Sequence, residues 1–130
     1  MKILASLCCV ILIIACVSGN KTGIKNGLPM VSKYDSLKSY KGMEILAAGK
    51  IVEEKFVNKG GKELDFTELW LEMDEGHRIM LRQRGKDKAK DYVGKQVKVQ
   101  GTLFYGNIDS DDPKAQSRVG YRLDYTAISL

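Results

Sequence analysis

Residues 92–103, YVGKQVKVQGTL, carry the clearest pattern in the chain. From Gln96 to Phe104 apolar and polar positions alternate: Val97, Val99, Gly101 and Leu103 fall on one face, Lys98, Gln100 and Thr102 on the other. A period of two marks a strand with one face buried. Downstream, Val119 to Ile128 repeats it, with Val119, Tyr121, Leu123, Tyr125 and Ala127 opposite Arg122, Asp124 and Thr126. Tyr105 to Arg118 lies between the two strands as a long loop, since Asn107-Ile108-Asp109-Ser110-Asp111-Asp112-Pro113 is rich in turn formers.

Upstream, the strand pattern reaches back to Met43. Glu44 to Phe56 is rich in Ile, Leu and Val, and Gly49 at its middle permits a bulge or sharp coil. Asn58-Lys59-Gly60-Gly61-Lys62 is a hairpin turn, followed by Leu64 to Met73 with Leu69, Leu71 and Met73 alternating. Asp74-Glu75-Gly76-His77 turns the chain again into Arg78 to Gln83, with Ile79 and Leu81 on one face. These three strands read as a meander. Gly85 to Tyr92 is polar and lysine-rich, and predicts about two helical turns that pack Ala89 and Tyr92–Val93 inward. Five strands with one short helix between the third and fourth is the order of a Greek-key barrel of the OB type. The expected fold is therefore all-β, over residues 43–130.

The same residues carry a resemblance. Tyr92-Val93-Gly94-Lys95-Gln96-Val97-Lys98-Val99-Gln100-Gly101 resembles the hydrophobic-x-Gly-Lys-x-Val-x-Val-x-Gly run that opens the fourth strand of many OB-fold proteins. Gly49-Lys50-Ile51-Val52 and Leu69-Trp70-Leu71-Glu72-Met73-Asp74-Glu75-Gly76 fit the first and second strands of that pattern. The whole chain resembles small bacterial OB-fold lipoproteins. The resemblance implies a fold, and that fold hosts many functions.

The amino-terminus sets the expected location. Lys2 gives a positive start, and Ile3 to Ala15 form an apolar stretch shorter than the ~20 residues a spanning helix needs. It ends in Ile13-Ile14-Ala15-Cys16, which resembles the lipobox of bacterial lipoproteins. That resemblance implies a leader over residues 1–15, a lipidated Cys16, and the outer membrane where the host has one. Val17-Ser18-Gly19 also suits ordinary signal peptidase, which would release a secreted protein starting at Asn20. Residues 16–42 read as a flexible tether with Gly19, Gly23, Gly27 and Pro29, and Tyr34 to Tyr40 as a short helical turn before the domain.

Composition narrows the chemistry. Loss of the leader leaves 115 residues, enough for one self-sufficient core, and 20 basic against 16 acidic side chains. The charges are interspersed, as on a solubilising surface. All three cysteines lie at or before position 16, so a chain cut before Cys16 retains one, and a chain cut after Gly19 retains none. An intrachain disulfide and a cysteine nucleophile are thereby excluded in either case. His77 is the single histidine, and no metalloprotease helix, phosphate loop or nucleophile elbow is present. Met73, His77 and Met80 have copper-compatible chemistry, but methionines in apolar strands are explained by packing. Asp109, Asp111 and Asp112 lack the spacing of a calcium loop and read as solvated.

These features predict a lipid-anchored, non-catalytic binding module of the cell envelope that needs no cofactor. The expected contact surface is Phe66, Trp70, Arg82 and Tyr105, facing a protein, peptidoglycan or another glycan. Nucleic acid is the alternative ligand, because OB domains stack single strands on aromatic groups. Glu68 and Glu72 alternate with Phe66 and Trp70 and would repel phosphate, whereas Arg78, Arg82 and Arg84 would attract it.

Overall fold

The computed structural model describes residues 23–58, 60–109, 111, 112, 114 and 117–130. The expected leader, Cys16 and the first part of the expected tether lie outside the described residues. Six strands follow in the order β1 (Met30–Val31), β2 (Glu44–Val57), β3 (Glu63–Glu72), β4 (Arg78–Gln83), β5 (Gln96–Asn107) and β6 (Val119–Ser129). Two 3-10 helices, Tyr34–Tyr40 and Ala89–Tyr92, precede β2 and β5. All six strands join one sheet, and β2, β3 and β4 form the expected antiparallel meander.

The pairing runs round into a ring. β4 pairs with β6 in parallel, β6 with β5 antiparallel, and β5 returns to β2. β2 serves both neighbours in turn, pairing with β5 over Glu44–Lys50 and with β3 from Lys50 onward. Gly49 stands at this crossover. It forms no bulge; a Cβ there would come 2.4 Å from the Glu72 carbonyl oxygen, so the close approach of β3 requires glycine. The β2 irregularity falls later, between Lys55 and Val57.

Ile45, Ile51, Leu71, Ile79, Val99, Leu103 and Leu123 are fully buried and fill the interior of the ring. Val97, Val99 and Leu103 point inward as the alternation predicts. Gln100 departs from its expected exposed position. A bulge in the β5–β6 ladder at Gln100 and Gly101 puts it under cover, where its side chain donates to Thr126 Oγ1 at 3.0 Å and accepts from the Lys25 amide at 2.7 Å. Those two bonds satisfy an amide that would otherwise be costly to bury.

Two expectations need correction. The sheet has six strands because Met30–Val31 lies parallel to Leu46–Ala47, with Pro29 accepting the Leu46 amide at 2.9 Å. The expected tether therefore packs on the domain from Lys25 on: the Lys25 amide bonds Gln100, Val31 is buried and Leu37, in the first 3-10 helix, has no exposed surface. A two-residue strand has too little length to show a period, so this was illegible. The helix expected over 85–92 is a single short turn that buries Ala89, while Val93 stays exposed.

Candidate functional site

The outward face of β3 carries Phe66, Glu68, Trp70 and Glu72, since alternate residues share a face and Leu71 points into the core. Val52 of β2 and Met80 of β4 flank Trp70, and Glu54 lies opposite Glu68. Two carboxylates facing each other across a ladder repel. Here each has its own arginine: Arg78 pairs with Glu54, and Arg118 forks onto Glu68 at 2.7 and 3.0 Å.

Arg118 organises this half of the face. Its Nη2 also reaches Asp109 Oδ1 at 2.6 Å, and its Nε and amide donate to Asp109 Oδ2 at 3.2 and 3.0 Å. The loop between β5 and β6 is thus fastened over β3 from both of its ends. The side-chain hydrogen bond from Arg118 holds the Asp109 carboxyl below its ordinary pKa, and bonds to both carboxylates raise that of the guanidinium. Trp70 lies beneath this arrangement, with Arg78 and Arg118 over its ring at 4.4 and 5.7 Å. It is only 7% exposed, and its indole N–H is buried without a partner among the described residues.

Phe66 is placed differently. It is 53% exposed and stacks on Phe56 at 5.0 Å between centroids, 15° from coplanar. The pair opens onto a cleft of about 940 Å³ between the β2–β3 hairpin tip and the β5–β6 loop. Val57 and Asn58 border it on the hairpin side, Asp109, Ser117 and Arg118 on the loop side. The hairpin tip is set by Asn58, whose Oδ1 accepts from the amides of Gly60 and Lys62, both at 2.9 Å.

Arg82 and Tyr105 belong to other neighbourhoods. Arg82 bonds Asp124 at 2.5 Å and Asp111 at 3.1 Å. Burial works against its charge, but these bonds outweigh burial and raise its pKa. Tyr105 sits edge-on to Tyr121 at 4.8 Å with Lys41 over its ring at 4.6 Å, and Tyr121 in turn meets Tyr34, which stacks on His77 at 4.7 Å. The four residues expected to form one surface thus divide, Phe66 and Trp70 around Arg118, Arg82 and Tyr105 beyond it. Asp109 and Asp111, expected to be solvated, are ion-paired.

Arg118 and Phe56 were missed in the sequence. Of its two carboxylate partners Asp109 is 9 residues away in an irregular loop and Glu68 is 50 away, so no periodic spacing marks it. Phe56 was assigned only as the end of a strand, although Phe66 faces it across a hairpin whose turn was recognised. Among the described residues, no group of three or more His, Cys, Asp or Glu is placed to hold a metal ion. Compared with family models, curated proteins and solved structures, the chain matches none.

Proposed function

We propose that this chain is a non-catalytic binding module of the OB type, lipid-anchored in the cell envelope through Cys16, and that an envelope glycan or protein segment occupies the Phe56–Phe66 cleft. The OB assignment rests on strand order. The ring β2–β3–β4–β6–β5, a parallel β4–β6 pair and a short helix before β5 support that reading. In such folds, ligands lie between the loops that follow the first and fourth barrel strands in chain order, here the loops after β2 and β5, which border the cleft.

The observation that carries the ligand reading is the pairing of charges around the aromatic pair. Arg118, the one cation among the described residues that line the cleft, is committed to Glu68 and Asp109, leaving the three groups one negative charge in excess. A phosphate backbone gains little there, whereas an uncharged ring or apolar side chain finds Phe66 open and polar groups at the rim.

The test uses the full-length protein in detergent. It should cosediment with purified peptidoglycan or bind a soluble envelope fraction, and Phe66→Ala should weaken binding at least tenfold. Oligo-dT and oligo-U should not bind at physiological salt. Micromolar oligonucleotide binding that falls steeply with salt and is lost in Phe66→Ala would reverse the reading in favour of nucleic acid. Anchoring is tested separately. Cys16→Ser should abolish fatty-acid labelling and move the protein to the soluble fraction, whereas a mature chain starting at Asn20 would assign it to secretion.

A further inference from the structure

The other half of the outward face holds a second group of charges, arranged in two tiers. Asp124, on β6, is the inner one. It is 7% exposed and accepts from Arg122 Nε at 2.8 Å and from Arg82 at 2.5 Å, with Arg84 Nε at 3.4 Å. This buried carboxylate holds the guanidinium groups of Arg82 and Arg122 side by side. The outer tier is Asp111, from the β5–β6 loop, whose side chain is 71% exposed. Its Oδ1 accepts from Arg82 Nη1 at 3.1 Å and from Arg122 Nη1 at 3.2 Å. Three arginines therefore face two carboxylates, and Arg82 Nε is buried without a partner among the described residues.

A hollow of about 460 Å³ adjoins Asp111 and Arg122. Gly106 and Gly120 line it, and they pair directly across the β5–β6 ladder. A Cβ added to either would meet nothing within 4 Å. The hollow exists because two facing positions lack side chains. Phe104, 41% exposed and under Arg122 at 5.0 Å, forms an apolar wall.

We propose that Arg82 and Arg122 form a binding site for a carboxylate carried on a ring, and that Asp111 fills the carboxylate position when no ligand is bound. The inner carboxylate fixes both guanidinium groups, so the site is organised before a ligand arrives. The outer one is an exposed side chain whose ion pairs with these arginines are screened by water, and such a contact is readily exchanged. A planar fork of N–H donors matches a carboxylate well. The ring then lies in the Gly106–Gly120 hollow against Phe104. A sugar acid has this shape. The site shares no residue with the Phe56–Phe66 cleft and stands or falls independently of it.

Calorimetric titration of the full-length protein with sodium glucuronate tests the assignment, with glucose and inorganic phosphate as the companion probes. Asp111→Asn removes the internal competitor at an exposed position and should tighten glucuronate binding at least threefold. Gly120→Leu fills the hollow and should weaken it at least tenfold. Glucose should not bind, because it lacks the carboxylate. No glucuronate binding to Asp111→Asn, or equal affinity in Asp111→Asn and wild type, overturns the proposal. Phosphate binding as tightly as glucuronate, unaffected by Gly120→Leu, overturns the ring acid and leaves an anion site of another kind.

Discussion

At the scale of the residue, Arg118 does most to shape the molecule's outer face. One guanidinium satisfies Glu68 and Asp109, and lies over Phe56 at 5.1 Å as well as over Trp70. Lysine keeps the charge but cannot fork onto two carboxylates and cannot lie flat on a ring. Arg118→Lys should therefore cost about 1–2 kcal/mol, a modest figure because one side of the group faces water. Urea denaturation followed by Trp70 fluorescence measures it, and an unchanged midpoint would mean the loop is held by other contacts. The same bonds set a pH dependence. The folded-state pKa of Asp109 is depressed, chiefly by its hydrogen bond from Arg118, and that of Glu54 is depressed by Arg78. A depressed carboxyl contributes stability in full above its unfolded pKa of about 4 and loses it as pH falls through the lower folded value. Stability should be flat from neutrality to about pH 5, then decline below about pH 4, with Trp70 fluorescence reporting the release of Arg118. A decline centred well above about pH 5 would refute the assignment to these two carboxylates.

At the scale of the element, β5 shows what the sequence made legible and what it hid. Val97, Val99 and Leu103 are buried where their alternation places them, because a strand has only two faces and its period is short. Val99→Asp should therefore remove several kcal/mol from a total of about 5–15, by burying a carboxylate without a partner. Lys98→Asp, on the exposed side, should leave thermal unfolding nearly unchanged, and similar losses in both variants would refute the register. Gln100 was hidden because its cover arrives from Lys25, 75 residues away. Gly101 has a reason that alternation cannot supply: a Cβ there would stand 2.4 Å from the Asp124 carbonyl oxygen. The functional face divides along the same line. Phe66 kept its expected exposure because exposure follows from strand parity at a hairpin end. Trp70, which the sequence leaves open to either a contact role or partial burial in the barrel, is covered because the β5–β6 loop, whose composition announces only turns, folds back onto β3 through Arg118. Contacts between segments that are remote in sequence decide which outward residues meet solvent, and neither period nor spacing encodes them.

At the scale of the whole molecule, the ring leaves β2 in an unusual position. Its first half pairs with β5, its second half with β3 on the opposite edge, and at Leu46–Ala47, beyond the end of β3, that second edge would be open. β1 fills that edge with a short parallel pairing, and the 3-10 helix behind it inserts Leu37 into the core. Tyr34 secures the far end, its amide donating to Asp74 Oδ1 at 2.8 Å in the β3–β4 turn. The segment from Lys25 onward thus acts as a structural part of the domain. The consequence is measurable. Truncating a fully buried leucine removes its transfer energy and leaves a cavity, about 2–5 kcal/mol together. Leu37→Ala should lower stability by that amount in urea denaturation, although residue 37 lies outside the region that sequence patterning assigns to the domain. In the same variant, amide exchange should quicken at Leu46, whose N–H is held by Pro29 of the displaced segment. Stability unchanged by Leu37→Ala would return residues 30–40 to the tether and leave β2 with a free edge.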